Sequence, residues 1–305
     1  MNPALVPHWA GLLRVLSAAH DASGPRHLHD VARGELALIS RNREAAGGET
    51  QRGLLNVEAR WAEFASWTAD NLGDGQNAAY WLRIALSLAR QAESRSLVAY
   101  VMMRQAQRAI ERRDASQATT LAEAAGRFSG LPARDRALCA VRCAQGGALA
   151  GDRVSTQRAL RQAYRLVAHA DATEDCDDPD TIGHHCVRAY VAAHEGFCQL
   201  SLGQPGTAVT ILEDILRGWP PAYRQDEGLT RTWLGAAYAA VDRIGEAAAQ
   251  GHTALNLAVE SGSVRTARAL RRLDVALAAH GGVPEVAGFR SRYAMVRELT
   301  GRLVS

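Results

Sequence analysis

The densest group of side chains able to hold a metal or move a proton in this 305-residue chain is His184, His185 and Cys186, with Cys176, His194 and Cys198 nearby. Cys186, His194 and Cys198 are spaced eight and four apart, so one helix face could present all three. Zinc sites usually carry a CxxC or HExxH spacing, and neither occurs here. The competing reading packs Cys186 and Cys198 as small apolar residues, and neither a metal nor a cofactor is expected. His194 and Glu195 are neighbours, so on a helix they point about 100° apart and do not face each other as acid and base. His27 and His29, two residues apart, take opposite faces. Cys139 and Cys143 are one helical turn apart and read as core residues, with no sequence neighbour to activate a thiolate. If the chain is an enzyme, its acid–base candidates are His184, His185, His194, Glu63 and Asp70.

Composition removes several chemistries outright. All 35 basic residues are arginine, which excludes Schiff-base formation, pyridoxal phosphate attachment and a phosphate-cradling P-loop lysine. The formal net charge of +3 is too small to imply nucleic-acid binding without a clustered patch. The C-terminal arginines (Arg265, Arg268, Arg271, Arg272, Arg290, Arg292, Arg297 and Arg302) read as a solvated capping face. Five cysteines at irregular spacing do not form a disulfide framework. The opening segment MNPALVPHWAGLLRVL has no basic leader before an apolar core, and no apolar run nears the ~18 residues of a membrane span. A cytoplasmic protein without membrane contact is expected.

The elements that must position these residues are helices. Alanine occurs 58 times, and runs of β-branched and aromatic residues are scarce. Leu54, Val57, Trp61, Phe64 and Ala65 recur at three- and four-residue steps and mark one apolar stripe. Short glycine- or proline-bearing breaks, such as Gly73-Asp74, Gly151-Asp152 and Gly203-Gln204-Pro205, divide the chain into roughly a dozen helices. The first two are expected near 7–22 and 25–45.

The breaks repeat. LGDGQNAAYWLRIALSLA (72–89) gives a turn, then a helix with Ala78, Leu82 and Ala85 on one face. LGQPGTAVTILEDILRGWP (202–220) follows that plan with Ala208, Leu212 and Ile215, and residues 233–258 place Leu234, Gly235 and Tyr238 before the turn and Ala247 and Ala254 after it. Residues 112–125 and 150–167 are weaker copies. Small residues at Ala78, Ala118, Thr156, Ala208 and Ala247 let antiparallel helices approach closely, and each pair then stacks on the next. These units resemble tetratricopeptide repeats with lengthened helices. The expected fold is an all-α, right-handed superhelical solenoid of antiparallel helix pairs, a single domain over 1–305. It would comprise N-terminal helices in 1–50, repeats over 51–280 and a capping helix at 283–305. The acidic segment 169–186 lacks helical pattern and is read as a solvated loop or a lid over the groove.

Several segments carry a closer resemblance: PALVPHWAGLLRVL (3–16), GPRHLHDVARGELALI (24–39), ARWAEFASWTADNLGD (59–74), YVAAHEGFCQLSLGQP (190–205) and ESGSVRTARALRRL (260–273). Together these resemble the C-terminal regions of actinobacterial XRE-type helix-turn-helix transcription regulators. The resemblance implies a tetratricopeptide-like sensor and dimerisation region, with a homodimer as one partner arrangement. In that family a DNA-binding unit precedes this region, and the sequence begins where the region begins, so no direct nucleic-acid binding by this chain is expected. Related tetratricopeptide regulators hold signalling peptides in the concave groove, which implies a peptide or small-molecule ligand here.

In such repeats the first helix of each pair lines the groove. A stripe down those helices reads Arg60, Glu63, Trp67 and Asp70, then Tyr100, Met103, Gln107 and Glu111, then Val141 and Gln145, then Tyr190, His194, Phe197 and Leu200. Aromatics mixed with charged and amide groups suit a ligand pocket, whereas a pure core stripe would avoid the polar members. The expected ligand-binding set is therefore Arg60, Glu63, Trp67, Tyr100, Met103, Gln107, Gln145, Tyr190, His194 and Phe197, centred on Trp67, Tyr100 and Tyr190. A packing role for Trp67 and Tyr100 is the alternative. Three functions stay open: a ligand-binding sensor, a cofactor-independent enzyme of specialised metabolism on a regulator scaffold, and a protein-interaction scaffold.

Overall fold

The structure, a computed structural model, describes residues 2–19, 24–173, 182–221 and 223–304. Fourteen α-helices and no strand occur among the described residues. They are α1 (Leu5–Ala18), α2 (Pro25–Glu44), α3 (Gly48–Asn71), α4 (Gly75–Gln91), α5 (Arg95–Glu111), α6 (Ala115–Gly126) and α7 (Ala133–Leu149). Then follow α8 (Arg153–Thr173), α9 (Arg188–Ser201), α10 (Pro205–Arg217), α11 (Arg224–Ala240), α12 (Ile244–Glu260), α13 (Val264–Leu277) and α14 (Pro284–Val304). No helix is long and apolar enough to cross a membrane.

The turns explain the pairing. Among the described residues, seven junctions between successive helices share nearly the same two-residue corner, in which one residue takes the left-handed conformation and the next stands at the N-cap position of the following helix. The left-handed residue is Gly73, Gly151, Gly203 or Gly262 at four corners, and Glu93, Arg113 or Asp242 at three. At each corner the next amide donates back across the turn, as from Asp74 N–H to Ala69 O (2.9 Å), Asp114 N–H to Ala109 O (2.9 Å) and Asp152 N–H to Gly147 O (2.9 Å). This is the Schellman closure that satisfies the last helical carbonyls. The carboxylates of Asp74, Asp114 and Asp152 then accept from the amides of Asn77, Gln117 and Ser155, capping α4, α6 and α8.

Glu93 (φ 55°) and Arg113 (φ 61°) hold a backbone conformation that disfavours a Cβ. Glu93→Gly and Arg113→Gly should each raise stability by about 0.5 kcal/mol, the left-handed strain relieved less the extra unfolded-chain entropy of glycine. Chemical denaturation midpoints check this, and a drop in either variant would refute it.

The small positions expected to let helices approach are all fully buried: Ala78, Ala118, Thr156, Ala208 and Ala247 each show 0% exposure. The chain forms two compact units, Met1–Asp70 with Asp74–Val191, and Asn71–Gly73 with Ala192–Ser305. In the first, α4 packs on α5, α5 on α6, α6 on α7 and α7 on α8, and α5 also lies alongside α7. The second repeats the scheme from α10 to α13, with α11 alongside α13 and α14 against α12. First helices of successive pairs thus lie side by side, each closed by its own second helix, as in a tetratricopeptide-like solenoid.

Two boundaries differ from the sequence reading. The first helix is Leu5–Ala18 and ends ahead of 22. Helix α8 runs on through His169–Thr173, inside the segment expected to be loop, because Ala170 is buried and the Thr173 hydroxyl donates to the His169 carbonyl (2.8 Å). Most of the acidic run, 174–181, lies outside the described residues, as does Cys176.

Candidate functional site

Helices α3, α5 and α7 bring their polar stripes together within the first unit. Arg104 on α5 donates through Nε to Glu63 Oε1 on α3 (2.8 Å) and through Nη1 to Gln107 Oε1 (2.9 Å). One turn along, Arg108 pairs with Asp70 and donates through Nη2 to the Gly75 carbonyl (2.7 Å). On α7, Arg142 donates through Nη1 to Gln145 Oε1 (2.6 Å), and through Nη2 to Gln107 Oε1 (3.4 Å) and to the Tyr190 hydroxyl. Gln107 therefore bridges two buried guanidinium groups, with Arg104 at 6% and Arg142 at 2% exposure.

The segment before α9 completes this layer. The His185 ring meets Tyr190 edge-on at 5.2 Å, and the Arg142 guanidinium lies 5.7 Å from the Tyr190 ring centre. Arg134 holds the segment down by donating to the Cys186 carbonyl (3.0 Å) and to Asp171 (2.8 Å) near the end of α8. Gly183 sits so tightly on Asp135 that an added Cβ would fall 2.4 Å from its carboxylate.

Burial governs the protonation states. It pushes the Glu63 carboxyl above its usual range, against the pull of Arg104. It also raises the Tyr100 hydroxyl, with the charge of Glu63 adding to the effect. Burial opposes the charge on Arg104 too, but Glu63, Tyr100 and Asp70 outweigh it and keep the guanidinium protonated. The His185 imidazole is pushed down to about 3 by burial, then by His184, Arg142 and Arg104, so it is neutral at physiological pH. The thiols of Cys139, Cys143 and Cys186 are pushed up to about 12, again chiefly by burial, and stay protonated.

The expected site residues thus divide. Glu63, Tyr100, Gln107, Gln145 and Tyr190 belong to the connected layer, with Asp70 at its Arg108 end and half-buried Arg60 acting electrostatically on Glu63. Trp67 is half-buried and stacked on Phe64 (5.7 Å, 20°). Met103 is 1% exposed and packs in the core beneath, as does Val141. His194 and Phe197 lie in the second unit, against Trp233 at 5.3 and 5.2 Å. His184 is exposed and edge-on to His185. Among the described residues, no three His, Cys, Asp or Glu side chains come together as metal ligands.

The residues that tie the layer together, Arg104, Arg108 and Arg142, were absent from the sequence-derived set. A signal for two of them exists. Arg104-x-x-Gln107 and Arg142-x-x-Gln145 are the same motif 38 residues apart, which is also the spacing of the buried Ala118 and Thr156. In both copies the arginine bonds its own glutamine one turn on.

Paired antiparallel helices, Schellman corners and side-by-side first helices define a tetratricopeptide-like, all-α helical-repeat protein. Among solved structures it is similar to the crystal structure of a Rap protein complexed with competence and sporulation factor, with TM-score 0.50 and 13% identity over 99% of each chain. At that identity the likeness is one of fold. No protein-family model and no curated protein sequence matches the chain.

Proposed function

We propose that this chain is a ligand-binding sensor module, akin to the sensor regions of helix-turn-helix regulators. In this reading it holds a small molecule or peptide by an acidic group on the face formed by α3, α5 and α7. The observation that carries the proposal is Arg142. Its guanidinium is buried, yet its hydrogen-bond partners (Gln145, Gln107 and Tyr190) are all neutral, and its Nε has none. Among the described residues it makes no ion pair. A buried cation is costly unless matched by a counter-charge, and a ligand carboxylate would supply one. Tyr100 and Trp67, both partly exposed, would add aromatic contact beside it.

Two further features favour binding over catalysis. His185 is held neutral, and Glu63 and Asp70 are occupied by their ion pairs with Arg104 and Arg108. A Rap protein of the same fold, in complex with competence and sporulation factor, gives a precedent for binding on this scaffold.

The test is calorimetric titration with short peptides carrying free or amidated C-termini, alongside phthalate and succinate. The acidic forms should bind and the amidated ones should not. Arg142→Gln should weaken binding roughly thirtyfold, about 2 kcal/mol, the value of a hydrogen bond to a charged group. The melting temperature of the variant is read alongside, so that a loss of affinity is told apart from a loss of fold. Equal affinity for free and amidated peptides, or unchanged affinity in Arg142→Gln, would overturn the assignment.

A further inference from the structure

Helix α3 has a second polar face. Glu58 and Glu63 are five residues apart, about 140° around the helix at 100° per residue, so Glu58 points away from the arginine–glutamine layer. It forms the floor of a separate cleft of about 550 Å³ between α2 and α4. The walls are two facing stripes at helical spacing, Arg33, Leu36 and Ser40 on one side and Asn77, Trp81 and Ile84 on the other. Tyr80, 45% exposed, stands at the edge with its ring 5.1 Å from Trp81 in edge-on geometry.

Three observations give this cleft a chemical preference. First, the Trp81 indole nitrogen is buried with no hydrogen-bond partner. An orphaned donor of that kind costs about 1–3 kcal/mol, and native structures rarely retain one without a use. Second, the charge is net positive. Arg43 Nε occupies Glu58 at 2.5 Å and its Nη2 reaches the Ser40 hydroxyl at 3.1 Å, while exposed Arg33 makes no ion pair among the described residues. Third, the volume lies in the range of small-molecule sites, and the apolar patches in its largely polar lining (Leu36, Ile84 and the Tyr80 and Trp81 rings) suit a flat ring.

We infer that the α2–α4 cleft is a second ligand site, one that takes a small aromatic acid. The ring lies between Leu36 and Ile84 against the tyrosine and tryptophan, Arg33 at the mouth matches the charge, and a turn of the half-buried Trp81 side chain opens its N–H, closed off in the free protein, to a carboxylate oxygen. The site uses none of the residues of the arginine–glutamine layer and stands or falls separately from it.

The test uses 2-naphthoate as probe on the full chain. In a proton–nitrogen correlation spectrum the six tryptophans give indole resonances, and that of Trp81 is the one lost in Trp81→Phe. On titration this resonance should move downfield and saturate, with a dissociation constant below about 1 mM. Trp81→Phe keeps an aromatic ring, smaller than the indole, and removes the N–H. It should weaken the probe at least tenfold while keeping the helical content of the parent. Arg33→Gln should also weaken binding. Absence of saturable binding would overturn the inference. So would movement of the Trp67 indole while that of Trp81 stays still, which puts the probe on the opposite face.

Discussion

Replacing Arg104 by methionine should lower stability by about 3–5 kcal/mol, the cost of stranding a buried charge whose partner has been removed. The guanidinium is 7% exposed and its partner Glu63 15%, so solvent screens the pair little. The loss should depend on pH in a particular sense. Burial already holds the Glu63 carboxyl above its usual range in the folded state, and without Arg104 nothing large opposes that rise. A raised folded-state carboxyl means that the native protein binds the proton more tightly than the unfolded chain. Its contribution is therefore favourable at pH values below its ordinary range and is lost as pH climbs through the raised one. The deficit of Arg104→Met should shrink as the solution is acidified toward that ordinary range. The double variant Arg104→Met with Glu63→Leu should recover most of the loss at neutral pH, because it removes both charges together. Denaturant titrations at neutral and mildly acidic pH measure all of this. A pH-independent deficit would mean that Glu63 is hydrated in the folded state.

Gly146→Val should be nearly as damaging, at about 3 kcal/mol, the upper end for overpacking. A Cβ at Gly146 would fall 2.4 Å from Thr119 Oγ1 and 3.2 Å from the Thr119 amide. The threonine cannot step aside freely, because its hydroxyl already donates to the Ala115 carbonyl (3.0 Å). The neighbouring Gly147 is pressed in the same way on Thr156 of α8, at 2.9 Å. These two glycines let α7 lie close between α6 and α8, and α7 carries Arg142 and Gln145. The variant should therefore also lose acidic-peptide binding, through displacement of the helix. Gly34→Ala on α2 is the matched control. A Cβ there meets nothing within 4 Å, and helix propensity alone should raise stability by about 0.5–1 kcal/mol. Comparable losses in both variants would show that glycine flexibility matters here and close approach does not.

The path from sequence to site was legible in some places and closed in others. The corner residues, the small positions and the alternation of long helices announced helix pairs, and Ala78, Ala118, Thr156, Ala208 and Ala247 proved fully buried. Glu63, Tyr100, Gln107, Gln145 and Tyr190 could be read off the first-helix stripe because helical periodicity assigns a face to every residue. Met103 shared that stripe and went into the core, since a stripe wide enough to hold a ligand grades into the packing surface on either side. Arg104 and Arg142 were passed over for the opposite reason. A charged residue on an alanine-rich helix reads as solvated until a neighbouring helix covers it.

Sequence alone determined the helical class, the pairing and the corners at Gly73, Gly151 and Gly203, because each depends on contacts within a few residues: a left-handed glycine, a capping carboxylate, a small side chain every turn. Tertiary structure decided which polar groups meet. The bonds from Arg104 to Glu63 and from Arg142 to Tyr190 join residues 41 and 48 apart in sequence, and the Trp81 cleft needs α2, α3 and α4 at one particular spacing. Periodicity says which way a side chain points. What it meets depends on the offset between neighbouring helices, and close contacts such as Gly146 on Thr119 set that offset only once the helices have packed.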